Sequence, residues 1–290
     1  MRSVGRTQRA KRQTSRGWSR RGSSGQLRSI AAIARPYRHV YVSPHFDDAA
    51  LSAGGVILLQ KGRCEPVLVI SVFTARPRGN LTRFAEFQHD RWGGAADPWE
   101  EREEEERAAM AALGADFLWL DYPDAIYRGD QYLSDADLFG PVKDGDAELQ
   151  RALSEAIVGI WRRCPSAMVY LPLGVGNHVD HQLCHGAGLE LGALGADVAY
   201  YEDHPYAMDA RAVATRLRDL GDGVRPVSIE IGRLVEEKVR IVELYRSQVA
   251  WVFRHYGTAR DAITRHAASV SMAPGGSAER LWRADGRGQP

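Results

Sequence analysis

The apolar positions of this chain fall into short, nearly continuous runs separated by longer stretches of helical periodicity. Runs at 39–43 (HVYVS), 66–73 (PVLVISVF), 116–120 (DFLWL), 167–171 (AMVYL) and 197–201 (DVAYY) have the length of strands. A run that is apolar at almost every position, as 66–73 is, marks a strand covered on both faces. The intervening pattern predicts helices. One spans 47–61, opened by acids and interrupted by Gly54 and Gly55. Another spans 99–113, with acids in its first turns and Gly114 at its end. Two more run over 147–163 and 180–194. Beyond Pro205 come a helix at 209–219, a strand at 224–230 and a helix at 233–246. Residues 75–98 and 121–145 read as long loops, and loops of that length often carry function.

Strands alternating with helices imply an α/β fold, a mostly parallel sheet with helices on both faces. In such sheets ligands bind beyond the carboxyl ends of the strands. The expected organisation is a single domain over 38–271, a basic and disordered extension over 1–37, and a loose tail over 272–290. With 290 residues and 44% hydrophobic content the chain can bury a real core. Its net charge of +1 conceals an asymmetry. Residues 1–38 carry eleven Lys or Arg and no acid, so the remainder has 37 acidic against 27 basic side chains, a net of −10. No aromatic-rich surface accompanies the basic end, so nucleic acid is not an expected partner.

Cys64, Cys164 and Cys184 are too few and too scattered for a disulfide framework, which fits a cytoplasmic protein. Arg20-Arg21 is followed by an apolar stretch, 30–34, too short for a signal core. No apolar run reaches the length of about 18 residues that a membrane span needs.

Two short segments carry the chemistry. His45, Asp47 and Asp48 follow the strand at 39–43, and His178, Asp180 and His181 follow the strand at 167–171. Histidine and carboxylate are ordinary zinc ligands, and three of them plus a water make a catalytic site. His45, one of the two aspartates and His181 can supply the three. A metal-bound water becomes far more acidic, and the other aspartate can take its proton. His178, if charged, would stabilise an oxyanion and protonate a leaving nitrogen. Asp180 suits the orientation of a histidine. Taken alone, His-x-Asp-Asp is equally a helix cap, and the second segment a polar loop. Their placement at two strand ends of one sheet favours a shared site.

Other features have plainer readings. His185 is expected to be a packed helix histidine rather than a ligand. Glu202, Asp203 and His204 read as a pocket wall, a second cation site or a polar loop. Arg76, His89, Asp90, Arg91 and Trp92 lie in the first long loop, where Arg and Trp would grip a sugar or an anionic group. The acids of 100–106 read as a solvated helix face. Gly54-Gly55 reads as close helix–strand packing, since no phosphate-binding glycine pattern is present.

The segment SPHFDDAALSAGG resembles the first motif of the LmbE-like, or PIG-L, N-acetylglucosaminyl deacetylases, and HVDH resembles their second. The stretch 101–114 (EREEEERAAMAALG) is similar to the family's R-x-x-E helix, and 238–248 (KVRIVELYRSQ) to its late Lys…Tyr-x-Ser-Gln segment. The likeness runs from about residue 39 to 250. It implies a Rossmann-like fold and a Zn2+ ion, or another divalent transition metal, on His45, Asp48 and His181. It also implies Asp47 as general base, His178 as acid or oxyanion stabiliser, and removal of an N-acetyl group from a small-molecule aminosugar conjugate. Phe46 stands where the family often has Pro, Ala49 where it often has Glu, and Gly176 where some members have Tyr. The long loops suggest a substrate larger than a monosaccharide, such as a glycosylated natural-product intermediate. The alternatives are a zinc amidase cutting a larger acyl group and a binding protein without turnover.

Overall fold

The structure, a computed structural model, describes residues 25–94, 96–221 and 223–284. Its framework is one eight-stranded sheet in the order β1-β4-β3-β2-β5-β6-β8-β7. The strands are β1 (Gln26–Leu27), β2 (His39–Ser43), β3 (Val67–Ser71), β4 (Asp116–Trp119), β5 (Met168–Pro172), β6 (Val198–Tyr201), β7 (Val224–Glu230) and β8 (Ala278–Ala284). All pairings from β1 to β6 are parallel, and β8 runs antiparallel to both β6 and β7. From β2 the chain winds outward through β3 and β4, then returns to add β5 and β6 on the other side of β2. The order therefore reverses between β2 and β5. A crevice opens there beyond the strand ends.

Side chains alternate across the sheet, as the period of a strand requires. Tyr41, Val69 and Phe117 enter a core with α1 (Asp48–Gly62), α3 (Pro98–Leu113), α8 (Leu234–Val242) and α10 (Ala259–Val270). Val40, Val42, Leu68 and Ile70 enter the opposite core with α5 (Ala147–Arg163) and α6 (Val179–Ala193). The two-faced burial explains why these strands read as continuous apolar runs. Gly55 allows α1 its approach: a Cβ there would lie 2.5 Å from Ile231 Cδ1 and 3.0 Å from Glu279 Oε1.

Several expected loops and ends are structured. The stretch 75–98 contains α2 (Arg83–Arg91), whose cap Thr82 accepts the N–H of Ala85. The stretch 121–145 contains α4 (Asp135–Leu138) and short 3-10 turns. The helix expected over 233–246 ends at Val242, and α9 (Arg246–Val252) follows; α7 is Ala210–Leu220. The expected loose tail supplies β8, which is buried at Glu279, Leu281 and Trp282. Its Glu279 sits at a core position because Lys238 Nζ lies 2.6 Å away and the Gly55 and Val56 N–H groups donate to it. The expected N-terminal extension divides: residues 1–24 lie outside the described residues, whereas β1 pairs with β4 and the Tyr37 hydroxyl donates to Asp116 at 2.6 Å. All three cysteines are free thiols. No helix among the described residues is long and apolar enough to cross a membrane.

Candidate metal centre and active site

The sharp turn after β2 presents His45, Asp47 and Asp48, and the loop after neighbouring β5 presents His178, Asp180 and His181. All six are gathered at the crevice between these central strands. Donor atoms of His45, Asp48 and His181 lie within 4.8 Å of one another. His45 Nδ1 is 3.2 Å, and His181 Nε2 3.4 Å, from the same oxygen, Asp48 Oδ2. Zinc bonds of 2.0–2.1 Å in a tetrahedron give ligand-to-ligand edges of about 3.3 Å, so the spacing suits such an ion. Each imidazole is held from behind by a carboxylate. His45 Nε2 is 3.0 Å from Asp180 Oδ2, and His181 Nδ1 is 2.6 Å from Asp203 Oδ1. That arrangement fixes tautomer and orientation, as for metal-ligating histidines generally.

His45, His178 and Asp180 also lie within 4.8 Å of one another. There, however, Asp180 already accepts Arg128 Nη2 at 2.5 Å and the Ala125 N–H at 3.2 Å, and the Asp180 N–H donates to His178 Nδ1. A cation is thus already seated on that carboxylate, and the first cluster is the better metal site.

The electrostatics ask for positive charge at the first cluster. Burial opposes protonation of His181, but Asp48 and then Asp203 outweigh it and raise its pKa to about 10. His45 is raised as well, with Asp124, Asp180 and Asp48 overcoming burial. Asp47 stands apart. Although it occupies the cap position of α1, its side chain makes no capping bond. It lines the crevice 3.8 Å from Arg102, and burial followed by the charge of Asp48 raises its pKa. Burial pushes His178 down to about 3. With Nδ1 accepting a backbone N–H, its neutral ring carries the proton on Nε2.

Above these groups lies an open cavity of about 250 Å³. Its rim includes Arg91, Trp92, Phe139, Tyr206, Gln248 and Trp251. The sequence model of the PIG-L family, GlcNAc-PI de-N-acetylase, matches residues 40–192. A 2'-N-acetylparomamine deacetylase from Streptomyces fradiae is 35% identical over 272 residues, which span 88% of this chain and 92% of that protein. The chain belongs to the PIG-L family. A second 2'-N-acetylparomamine deacetylase, from Niallia circulans, is 27% identical, with 74% of this chain and 82% of that protein covered. Among solved structures, the zinc-inhibited form of teicoplanin deacetylase superposes with a TM-score of 0.74 at 25% identity, over 86% of this chain and 98% of that one. A deacetylase of A40926 pseudoaglycone gives a TM-score of 0.71 at 25% identity, over 87% and 98%.

Within this PIG-L fold, the two helical motif segments brace the first motif. Glu106 accepts the hydroxyls of Ser71 (2.9 Å) and Tyr245 (2.6 Å), and Tyr245 also reaches the Phe46 carbonyl at 3.2 Å. Glu105 accepts the Ser247 N–H and hydroxyl. The 100–106 run is thus only partly a solvated face. Phe46 fills a space between Trp99 and Trp119. Gly176 has φ +86°, and a Cβ there would lie 2.5 Å from Tyr206 Cγ, so Tyr206 occupies the room beside it.

The sequence reading named the six motif residues but missed Arg102, Asp124, Arg128 and Tyr206 as members of the site, and left Asp203 undecided. Asp124 and Asp203 follow β4 and β6, so the strand-end rule that selected the motifs would have selected them too. Of the weaker candidates, Arg91, Trp92 and His204 reach the cavity. Arg76 pairs with Glu103 and Asp97, and His89 packs on Trp92. His185 stays away, with Nδ1 donating to the Pro172 carbonyl at 3.1 Å and its ring against Tyr200.

Proposed function

We propose that the chain is a zinc-dependent N-deacetylase that releases acetate from an N-acetylated aminosugar conjugate of natural-product biosynthesis, in the cytoplasm. The observation that carries this is an uncapped, buried carboxylate, Asp47, beside a His45/Asp48/His181 cluster at the floor of an open cavity. The named relatives, a 2'-N-acetylparomamine deacetylase and a teicoplanin deacetylase, support the substrate class.

His45, Asp48 and His181 would hold the ion. When bound, it supplies Lewis acidity that makes water a nucleophile near neutral pH and polarises the amide carbonyl. Asp47 takes a proton from the attacking water, a role its raised pKa suits. Arg102 limits that rise and fixes the carboxylate. Neutral His178 offers Nε2–H to the oxygen on which charge develops. This replaces the charged His178 of the sequence expectation, because burial disfavours the imidazolium. Asp47 then returns its proton to the departing nitrogen, leaving a free amine and acetic acid, whose proton passes to the amine or to solvent as acetate departs. Asp180 and Asp203 orient the ligands and touch no reacting atom.

The test is acetate release by zinc-loaded protein from 2'-N-acetylparomamine and a panel of N-acetylglucosaminides, with longer N-acyl analogues alongside. Turnover of the N-acetyl compounds that disappears in Asp47→Asn is expected. Turnover of longer acyl chains alone would reassign the enzyme as an amidase, and turnover of none would leave a binding protein.

A further inference from the structure

A second cluster of metal-ligating side chains lies beyond the end of β6. Glu202 ends that strand, His204 follows in the loop, and His266 comes from α10; they are 1%, 4% and 9% exposed. Their donor atoms lie within 4.8 Å of one another. Glu202 is fixed through one oxygen only. Oε1 accepts Arg280 Nε at 2.6 Å and Trp282 Nε1 at 2.9 Å. Its Oε2 has no hydrogen-bond partner among the described residues, and neither has His266 Nε2, which faces it at 3.3 Å. His204 Nδ1 is 3.0 Å from the Leu51 carbonyl and must donate to it, leaving a lone pair on Nε2. Its ring packs edge-on against His266 with centroids 4.5 Å apart.

A charge-assisted bond between His266 and Glu202 would close to about 2.8 Å. The observed 3.3 Å is instead the edge of a zinc-sized tetrahedron, about 3.3 Å, and matches the 3.2 and 3.4 Å edges of the first cluster. Two unpartnered donors, both buried and separated by that distance, are what a ligand set looks like. We propose that Glu202, His204 and His266 form a second metal site, taking zinc or another divalent ion that favours imidazole with one carboxylate. The ion ties β6 and its loop to α10. Asp203, which orients His181, lies between two of the ligands in sequence, so the second site stiffens the support of the first.

Charge sets the order of filling. Around the first cluster stand Asp47, Asp48, Asp124, Asp180 and Asp203, with Arg102 and Arg128 opposing them. Around the second, Arg280 already offsets Glu202, and Glu279 is neutralised by Lys238. The second ion therefore binds in a separate, weaker step.

The experiment uses the full chain, stripped by chelator and dialysed against buffered free Zn2+ at about 100 μM, roughly tenfold above a weak-site Kd of about 10 μM so that such a site is about nine-tenths filled. Metal content is then read by mass spectrometry. Wild type should hold two ions, and His266→Gln, Glu202→Gln and His181→Ala one each. The ion retained by His266→Gln at the first centre reports that this variant is folded. Titration of stripped wild type with Co2+ needs no variant, and should show two visible-absorbing steps. One ion and one step in wild type, or two ions in His266→Gln, would overturn the proposal and leave a buried His–Glu ion pair. Loss of the ion in His181→Ala alone bears on the first centre and not on this one.

Discussion

Asp203→Asn removes the charge behind His181 and should disable the proposed metal centre. In the native protein Asp203 Oδ2 accepts the N–H groups of Gly174 and Val175, each at 2.8 Å, while Oδ1 receives His181 Nδ1–H at 2.6 Å. An asparagine in the same place keeps its carbonyl oxygen on the two N–H groups and turns its NH2 toward His181. Two donors then meet, and the imidazole relieves the clash by moving its proton to Nε2. That nitrogen is the one 3.4 Å from Asp48 Oδ2, and once protonated it cannot ligate. Loss of an orienting carboxylate typically costs 10–100-fold in metal affinity, or about 1.4–2.7 kcal/mol. The fold should survive, since both backbone donors stay satisfied; Asp203→Ala would orphan them and cost about 1–3 kcal/mol for each. Competition against a chromophoric chelator gives the zinc Kd, and thermal unfolding checks the fold. A stably folded Asp203→Asn whose Kd lies within twofold of wild type would refute the role given to the carboxylate.

Three further outcomes follow from the same geometry. Asp47→Asn should keep its zinc and lose about 10²–10⁴ in kcat; loss of metal instead would make Asp47 a ligand. Gly176→Ala places a Cβ 2.5 Å from Tyr206 Cγ on a backbone at φ +86°, so urea unfolding should show about 1–3 kcal/mol of destabilisation and deacetylation should fall; a wild-type midpoint with full activity would contradict this. Burial pushes Glu106 from 4.5 up to about 8, against hydrogen bonds from Tyr245 and Ser71 that lower it. The folded chain therefore keeps a proton that the unfolded chain releases. This contribution to stability is whole below pH 4.5 and is lost as pH rises toward 8. Denaturant midpoints of Glu106→Gln should fall less steeply over that range than wild type, and parallel curves would show that Glu106 is ionised throughout.

The sheet was legible because its strands are buried on both faces and so announce themselves as apolar runs; β2, β3, β4, β5 and β6 all lie where the pattern puts them. What escaped was held by polar partners rather than by apolar periodicity. Strand β8 (AERLWRA) reads as a charged tail, since its buried Glu279 is stabilised by Lys238 some forty residues earlier. Helix α2 has a polar composition and hides in a segment rich in Arg and Asp; only Thr82 signals its start. The motif residues were legible by type and by strand-end placement. Asp124 and Asp203 share that strand-end placement, but the histidine each one faces was not legible, because only the strand order makes it a neighbour of His45 or His181.

That dependence on strand order explains how the centre holds its shape. His45 and His181 come from different strand ends and each is steered by a carboxylate from elsewhere in the chain. Each carboxylate is in turn pinned by two donors of its own: Arg128 and the Ala125 N–H for Asp180, the Gly174 and Val175 N–H groups for Asp203. Turning either imidazole would leave a buried carboxylate short of a partner, at about 1–3 kcal/mol or more for a charged group. The proposed ligands therefore stay aimed at a common point through their own partners. The ordering entropy is met during folding rather than at binding, and strand register, set by the two apolar cores, fixes the distances at which the chemistry occurs.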